Sequence, residues 1–346
     1  MKLLSGVGVQ SGITLRMIYR LFVSLFLSGI LATAVLAQRP GATGVVHELE
    51  FQSVKRSYRL HVPQKVEDDS NPAPLIFVLH GGGSTAEITS RAKWTPLADE
   101  EGFVVVYPDG INKHWNDGRN ATKYAKQDAK TDDVGFILAT LDDVARRHAI
   151  DRTRVYVTGL SNGGFMSQRL AIEATEHFAA AAIVIATLPT PYDNGERPFT
   201  PATPISILMM NGTKDTFAPY NGGKLTPNFT PYRIDSATHD FGQGTATSTD
   251  KAIALWLKHN NLNEIEPVVT TLPDKAPDDG CRVIHSLWSA PENPVDVELY
   301  RIEGGGHTIP GGTQYLPKRI IGPVCHDIDG TRVIWEFFKD KTTVTR

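Results

Sequence analysis

The 346-residue chain has only two cysteines and no excess of basic charge, and both shortages narrow the possible functions. Its 35 lysines and arginines are outnumbered by 38 aspartates and glutamates, which gives a formal net charge of -3. A nucleic-acid-binding protein needs a basic patch to neutralise phosphates, whereas the basic residues here are scattered along the chain. We therefore expect no nucleic-acid partner.

Signatures of several other enzyme classes are also missing. The chain has no H-E-x-x-H pair of metal ligands, no G-x-x-x-x-G-K phosphate loop and no G-x-G-x-x-G dinucleotide motif. We therefore expect neither a metal ion nor an organic cofactor, and activity that EDTA leaves unchanged.

Long hydrophobic runs are confined to the N-terminus. Arg16 and Arg20 precede the apolar run LFVSLFLSGILATAVLA, whose small residues before Gln38 fit a signal-peptidase site. This predicts a signal peptide over residues 1–37, with Met17 as an alternative start, and an exported chain over residues 38–346. A membrane anchor is the competing interpretation, but the run is short. No cysteine follows the cleavage point, so a lipoprotein anchor is not indicated, and we expect no stable membrane insertion after cleavage.

Export would place the two cysteines, Cys281 and Cys325, in an oxidising environment. In an oxidising compartment a lone pair tends to be joined, so we expect a disulfide, with two separate buried thiols as the alternative. The loop would contain about 44 residues and would stabilise the fold by on the order of 3 to 4 kcal/mol.

From residue 45 the chain alternates between strand and helix patterns. GVVHELEF and RSYRLHVP have the period-2 alternation of an opening strand pair, whereas LIFVLHGGG and FVVVYPDG are apolar runs typical of strands covered on both faces. A helix is predicted within STAEITSRAKWTPLADEEG, followed by further alternating elements ending in the helix GTRVIWEFFKD. The pattern predicts one α/β domain with a mostly parallel sheet and helices on both faces.

A serine lies in the glycine-rich break of RVYVTGLSNGGFMSQRLA. Gly159, Ser161 and Gly163 form the motif G-x-S-x-G between a predicted strand and a predicted helix. A sharp turn there would leave no room for side chains at the two glycines and would expose the serine hydroxyl. The bare motif is common, but its strand-turn-helix position predicts a nucleophile.

A serine nucleophile needs a histidine base and a carboxylate that orients it. Asp215 follows the apolar strand ISILMMNG, although an Asx-turn or a helix cap would also explain it. His307 lies in the glycine loop of VELYRIEGGGHTIPGG. Four other downstream histidines fit less well, because they lie in a helix, in a strand or in polar loops: His239, His259, His285 and His326.

The fourth element is the glycine run after the strand LIFVLHGGGS. It would let the backbone N–H of Gly82 face a developing oxyanion together with that of Asn162. Taken together, these elements predict an α/β-hydrolase with Ser161, Asp215 and His307 as its catalytic residues.

The chain resembles a known family in LHGGGST, WNDGR, DDVGFI, GLSNGGFMSQRLA, NGTKDTFAPYNGG and GGGHTIPGG. These segments, from about residue 45 to the last helix, are similar to the secreted polyhydroxybutyrate depolymerase-like and feruloyl esterases, a group that includes acetylxylan esterases. The resemblance implies a metal-free serine esterase with the same three catalytic residues. Many relatives have tryptophan where Ile309 stands, and some have cysteine in place of Gly82.

The resemblance and the site together predict an ester substrate, and the favoured class is feruloylated plant-wall xylan fragments. Hydroxyalkanoate oligomers and acetylated sugars are alternatives, and an acyltransferase could use the same three residues. A binding protein on this scaffold would usually have lost one of the three catalytic residues.

Asp133 is interpreted as a helix cap or an ion-pair partner. Five apolar residues could line the substrate cleft, with core packing as the alternative for the aromatic ones: Trp115, Phe136, Phe165, Phe217 and Ile309.

Overall fold

The computed structural model describes residues 43–69, 71–226 and 242–344. The signal peptide predicted over residues 1–37 and the alternative histidine His239 lie outside these residues. Among the helices described, none is both long and apolar enough to cross a bilayer.

The strands follow the apolar runs of the sequence closely. In chain order they are β1 (Val45–Phe51), β2 (Val54–His61), β3 (Ala73–Leu79), β4 (Val104–Pro108), β5 (Ile150–Leu160), β6 (Ala180–Val184), β7 (Ser206–Gly212), β8 (Gly223–Lys224), β9 (Thr245–Ala246), β10 (Val268–Thr271), β11 (Arg282–Trp288) and β12 (Val297–Glu303).

The helices are α1 (Gln64–Glu67), α2 (Ala86–Thr89), α3 (Trp94–Glu101), α4 (Ala125–Asp128), α5 (Asp133–Arg147), α6 (Asn162–Glu173), α7 (Thr190–Asp193), α8 (Thr249–His259), α9 (Lys318–Ile321) and α10 (Gly330–Phe338). Short 3-10 turns occur at Ile111–Lys113, Thr175–His177 and Pro277–Asp279.

Ten strands form one sheet in the order β1-β2-β4-β3-β5-β6-β7-β12-β11-β10. The six central strands, from β4 to β12, run parallel, while β1 and β2 at one edge and β11 and β10 at the other pair antiparallel. Because the central strands are parallel, their carboxyl ends meet at one edge of the sheet, where ligands bind in such folds. This is the predicted α/β-hydrolase fold.

Four of the six central strands, β3, β4, β6 and β7, are buried along their whole length, which explains why their sequences are continuous apolar runs. Side chains alternate between two apolar clusters, one on each face of the sheet. Phe77 and Val157 point into one cluster, and Ile76 and Tyr156 into the other. Helices therefore cover both faces, as predicted.

The predicted helix after β3 is two helices, α2 and α3, separated at residues 90–93. Ser90 is fully buried, and its backbone carbonyl accepts a hydrogen bond from the Thr43 hydroxyl at 2.7 Å. The Ser90 hydroxyl also accepts a bond from the Thr43 backbone N–H. These contacts to the start of the described chain fix the break between the helices.

Candidate active site

Ser161 lies at the sharp turn between β5 and α6. Its φ of 56° and ψ of -117° are outside the regions that L residues normally adopt. The backbone N–H donates to Val184 O at 3.0 Å, and the carbonyl accepts from Phe165 N at 2.8 Å. The turn is therefore held from both sides, and the partly exposed side chain stands at the carboxyl edge of the sheet.

The two glycines of the motif are required by close backbone approach. A Cβ at Gly159 would collide with the backbone of Gly163, and one at Gly163 would collide with the carbonyls of Leu79 and His80. The steric explanation predicted for both glycines is confirmed. The turn can pack against β3 only because these positions have no side chain.

Asp215 and His307 are brought together across 92 positions of the chain. His307 Nδ1 and Asp215 Oδ2 are 2.6 Å apart, and both side chains are 1% exposed. The other carboxylate oxygen of Asp215 accepts the backbone N–H groups of Phe217 at 2.8 Å and Ala218 at 2.9 Å. An ionised carboxylate held in this way accepts the Nδ1 proton, which leaves Nε2 of His307 as the basic nitrogen.

The His307 side chain is fixed, and its Nε2 atom is free. The backbone N–H of His307 donates to Ile321 O at 2.5 Å, its carbonyl accepts the Tyr315 hydroxyl at 3.0 Å, and the Phe217 ring packs edge-on at 5.1 Å. Among the described residues Nε2 has no hydrogen-bond partner, so it is not bonded to Ser161. Catalytic hydrogen bonds of unliganded enzymes are often long and shorten when substrate binds.

The glycine run after β3 lies against the sharp turn that carries Ser161. A Cβ at Gly82 would lie 3.5 Å from Asn162 Cβ, which is ordinary contact distance. A Cβ at this position would therefore fit without moving the backbone. None of the hydrogen bonds of the described residues uses the backbone N–H of Gly82 or of Asn162. Both donors are thus available to an oxyanion.

The proposed cleft residues are mostly core residues. Trp115, Phe136 and Phe165 are at most 1% exposed, so they do not offer a ring to a ligand in this structure. Ile309 packs against Gly330 and the apolar cluster on the α10 side of the sheet. Phe217 is the one whose ring contacts His307. The aromatic side chains were predicted from sequence position alone, which does not distinguish a cleft wall from the core beneath it.

The other histidines are engaged elsewhere. His259 Nε2 lies 2.9 Å from Thr203 O, and His285 Nε2 lies 2.8 Å from a Glu298 oxygen. His326 is exposed.

Asp133 forms the predicted ion pair, with Arg56 at 2.7 Å, but the cap of α5 is Asp132.

The predicted disulfide is not formed, and this is a correction. Cys281 and Cys325 are both buried free thiols. Their sulfur atoms and an Asp279 oxygen lie within 4.8 Å of one another. A hydrogen bond to Cys325 and burial raise the pKa of the Cys281 thiol. Each carboxylate oxygen of Asp279 accepts a backbone N–H, one from Cys281 and the other from His326. The carboxylate therefore does not offer a free pair of oxygens to a metal ion.

Sequence reasoning missed Tyr315 and the segment around Asp117. Tyr315 supports His307 through its hydroxyl, and Asp117 accepts a hydrogen bond from the Asn162 side chain at 2.5 Å. A tyrosine in a Gly/Pro-rich loop carries no local signal. Asp117 lies in WNDGR, a segment that contributed to the family resemblance but did not indicate a role for this residue.

The fold is that of an α/β-hydrolase, with Ser161 at the sharp turn between β5 and α6. Residues 56–188 match the family described as Esterase PHB depolymerase. This range includes Ser161 and the glycine run but ends before Asp215 and His307.

Three curated relatives are similar along most of the chain. A putative esterase NocK from Nocardia uniformis subsp. tsuyamanensis is 29% identical over 81% of this chain and 78% of its own length. Feruloyl esterase B from Piromyces equi is 28% identical over 68% of this chain, and poly(3-hydroxyalkanoate) depolymerase C from Paucimonas lemoignei is 28% identical over 72%. The chain spans only 39% and 58% of the latter two proteins.

Among solved structures, the acetyl xylan esterase from Aspergillus awamori superposes with a TM-score of 0.56 at 15% identity. The superposition covers 86% of this chain and 99% of that one. At this identity the likeness supports the fold alone. The sequence matches confirm the resemblance to the polyhydroxybutyrate depolymerase-like and feruloyl esterases, and the chain is a carboxylic ester hydrolase.

Proposed function

We propose that the chain is an exported serine esterase that acts through an acyl-enzyme, with feruloyl esters of plant-wall xylan as its substrates. The observation that carries the mechanism is the buried pair of Asp215 and His307, which leaves Nε2 of His307 free at the edge where Ser161 turns outward. Export rests on the N-terminal sequence pattern, and the substrate class rests on the similarity to feruloyl esterases.

The steps follow from the positions of these groups. His307 Nε2 takes the proton of the Ser161 hydroxyl while Oγ bonds to the ester carbonyl carbon, and Asp215 stabilises the resulting imidazolium. The backbone N–H groups of Gly82 and Asn162 bind the oxyanion. The imidazolium then gives its proton to the departing alcohol, which leaves an acyl group on Ser161. Water, deprotonated by the same histidine, releases the acid and restores the serine.

The test compares three esters on the chain that starts at Gln38: methyl ferulate, p-nitrophenyl acetate and 3-hydroxybutyrate oligomers. Ser161→Ala should abolish hydrolysis of all three. Ser167→Ala is a matched control, because Ser167 lies on the same helix and its buried hydroxyl bonds to Gly163 O. Ser167→Ala should keep its activity within a few-fold of that of the wild type. Activity in Ser161→Ala equal to the wild type would remove Ser161 as the nucleophile.

The substrate assignment is decided by the ranking of the esters. The highest kcat/KM on methyl ferulate supports plant-wall esters. A preference for hydroxybutyrate oligomers would instead support the second candidate, which is favoured by the match to the depolymerase family and to the Paucimonas lemoignei enzyme. Added alcohol acceptors show whether the acyl group goes to water or to an alcohol. Transfer to the alcohol in preference to water would favour an acyltransferase.

A further inference from the structure

Trp115 occupies an unusual position beside the candidate active site. It follows β4 and a 3-10 turn, and its side chain is fully buried. The indole N–H donates to the carbonyl of His80 at 2.9 Å. Its ring also packs on the His80 ring at 4.8 Å between centroids. The tryptophan is therefore tied to the start of the glycine run that carries Gly82.

The backbone of the same residue is tied to the nucleophile turn. Trp115 N–H donates to Asn162 Oδ1 at 2.8 Å, and Asn162 Nδ2 donates to Trp115 O at 3.0 Å. Asn162 is the residue after Ser161, and its backbone N–H is one of the two oxyanion donors. Trp115 is thus bonded at one end to the loop of the first donor and at the other end to the residue that carries the second.

Two charged side chains complete the cluster. Asp117 Oδ2 accepts both Asn162 Nδ2 and, at 2.7 Å, Nε of Arg119. Both charged groups are less than 9% exposed, and the Arg119 guanidinium lies over the Phe165 ring at 4.6 Å. A buried carboxylate alone would repel a developing oxyanion, whereas the adjacent guanidinium neutralises it. The amide of Asn162 is therefore oriented at little electrostatic cost to the reaction.

We propose that Trp115, Asn162 and Asp117 form a clamp that sets the spacing between the backbone N–H groups of Gly82 and Asn162. This inference rests on the proposed function, because the spacing matters only if an oxyanion forms there. Both donors must lie about 3 Å from one oxygen, and they come from loops that follow different strands, β3 and β5. Trp115 is a positioning residue, since it acts through hydrogen bonds to both loops and does not touch the substrate.

The test is Trp115→Phe, which keeps most of the ring volume and removes the indole N–H. The matched control is Trp256→Phe, because Trp256 is also fully buried and its indole N–H donates to Gln168 Oε1 at 2.8 Å. Each enzyme is assayed on an ester and on the corresponding thionoester. Sulfur is a weaker acceptor than oxygen, so the ratio of the two rates reports how well the donors fit an oxyanion.

We expect kcat of Trp115→Phe on the ester to fall about 10- to 100-fold with KM within about twofold, as for partial loss of one oxyanion donor. The ester-to-thionoester ratio should fall about tenfold. Trp256→Phe should keep kcat and the ester-to-thionoester ratio near those of the wild type, even if its unfolding temperature falls as far as that of Trp115→Phe. An unchanged ratio and kcat in folded Trp115→Phe would overturn the clamp.

A second pair of variants covers the case in which Trp115→Phe does not fold. Asn162→Ala keeps the backbone donor and removes the side chain. Asn260→Ala is its control, because the Asn260 amide makes the same two bonds, to the N–H and carbonyl of Ile205. Only Asn162→Ala should lower the ester-to-thionoester ratio, and equal ratios in both would overturn the clamp. The proposed function is tested separately, by Ser161→Ala, so either idea can fail alone.

Discussion

Asn162 and Asn260 make the same contact at opposite ends of the central sheet. Each side-chain amide bonds the N–H and the carbonyl of one distant residue, Trp115 in one case and Ile205 in the other. Asn260 joins the end of α8 to the residue before β7, at the amino edge. Asn162 joins the nucleophile turn to the segment after β4, at the carboxyl edge. The same pair of hydrogen bonds lies far from Ser161 at one edge and directly beside it at the other.

The two edges also differ in how their backbones pack. At the carboxyl edge, a Cβ on Gly163, Gly212 or Gly306 would collide with neighbouring backbone atoms. At the amino edge, an exposed ion pair joins the start of β5 to α5, between Arg152 and Asp142 at 2.8 Å. Exposed pairs contribute at most about 1 kcal/mol. We therefore expect loss of an exposed ion pair at the amino edge to cost less than addition of a Cβ to these glycines.

The largest expected difference between the edges comes from two aspartate substitutions. Asp215→Asn should lower kcat about 10⁴-fold, because an amide no longer holds His307 in the tautomer that leaves Nε2 basic. Asp142→Asn, at the amino edge, should change kcat less than about twofold. Steady-state rates on p-nitrophenyl acetate decide this. An active Asp215→Asn enzyme would mean that another carboxylate orients the histidine.

The cysteine pair offers a test at the carboxyl edge. Cys281 immediately precedes β11, and both Cys281 and Cys325 are buried free thiols. Thiol labelling should therefore be slow in the folded protein and should reach both cysteines after denaturation in urea. A denatured chain that resists labelling would contradict the free pair.

A glycine substitution tests the packing of the nucleophile turn. Gly163→Ala should destabilise the fold by about 3 kcal/mol and lower activity at least tenfold, because the new Cβ pushes α6 away from β3. Gly195→Ala is the comparison, since its φ of 84° is strained for alanine but no atom lies within 4 Å of the new Cβ. It should cost about 1 kcal/mol and leave activity unchanged. Equal losses of stability would show that the packing around Gly163 adjusts to the new Cβ, and would contradict the expected collision.

The smallest effect concerns pH. Burial lowers the pKa of His80 from 6.5, and its Nε2 accepts the Gly110 N–H at 2.9 Å, so the folded state holds it neutral. Hydrogen bonding to Gly81 and the nearby Asp109 and Asp133 charges partly oppose this shift. The unfolded chain binds the proton first as pH falls. Stability from neutral His80 is therefore complete above about pH 6.5 and is lost at lower pH.

This pH effect is measured by urea unfolding between about pH 5 and pH 7.5. His80→Gln should flatten the fall in stability toward acid, because glutamine has no proton to gain. The half-buried His177 provides the control substitution, His177→Gln, which should leave the slope as it is. A slope unchanged by His80→Gln would assign the acid sensitivity to other groups.

Much of the fold could be predicted because the central strands are apolar runs bounded by glycine. Residues 180–184 were missed, because the sequence AAAIV is rich in alanine, which favours helices. They form β6 because they are buried between β5 and β7, and such tertiary contacts override local preference. The edge strand β10 was also missed, since it has only four residues and all are exposed.

The site was predictable where a local pattern determines geometry. Glycines around Ser161 and before His307 mark turns, and these turns bring the elements to one edge of the sheet. The sequence left Trp115 open between a cleft wall and the core, because burial depends on the packing of segments far apart in the chain. Contacts such as that between Asn162 and Trp115, 47 residues apart, leave no periodic trace in the sequence.

The positive φ of Ser161 has a practical consequence for enzyme engineering. Glycine adopts this conformation without the penalty of about 1 to 3 kcal/mol that serine incurs. We therefore expect a variant library sorted only by heat resistance to enrich Ser161→Gly, which removes the proposed nucleophile. Selection for thermal stability in this chain therefore has to measure catalytic activity in the same round.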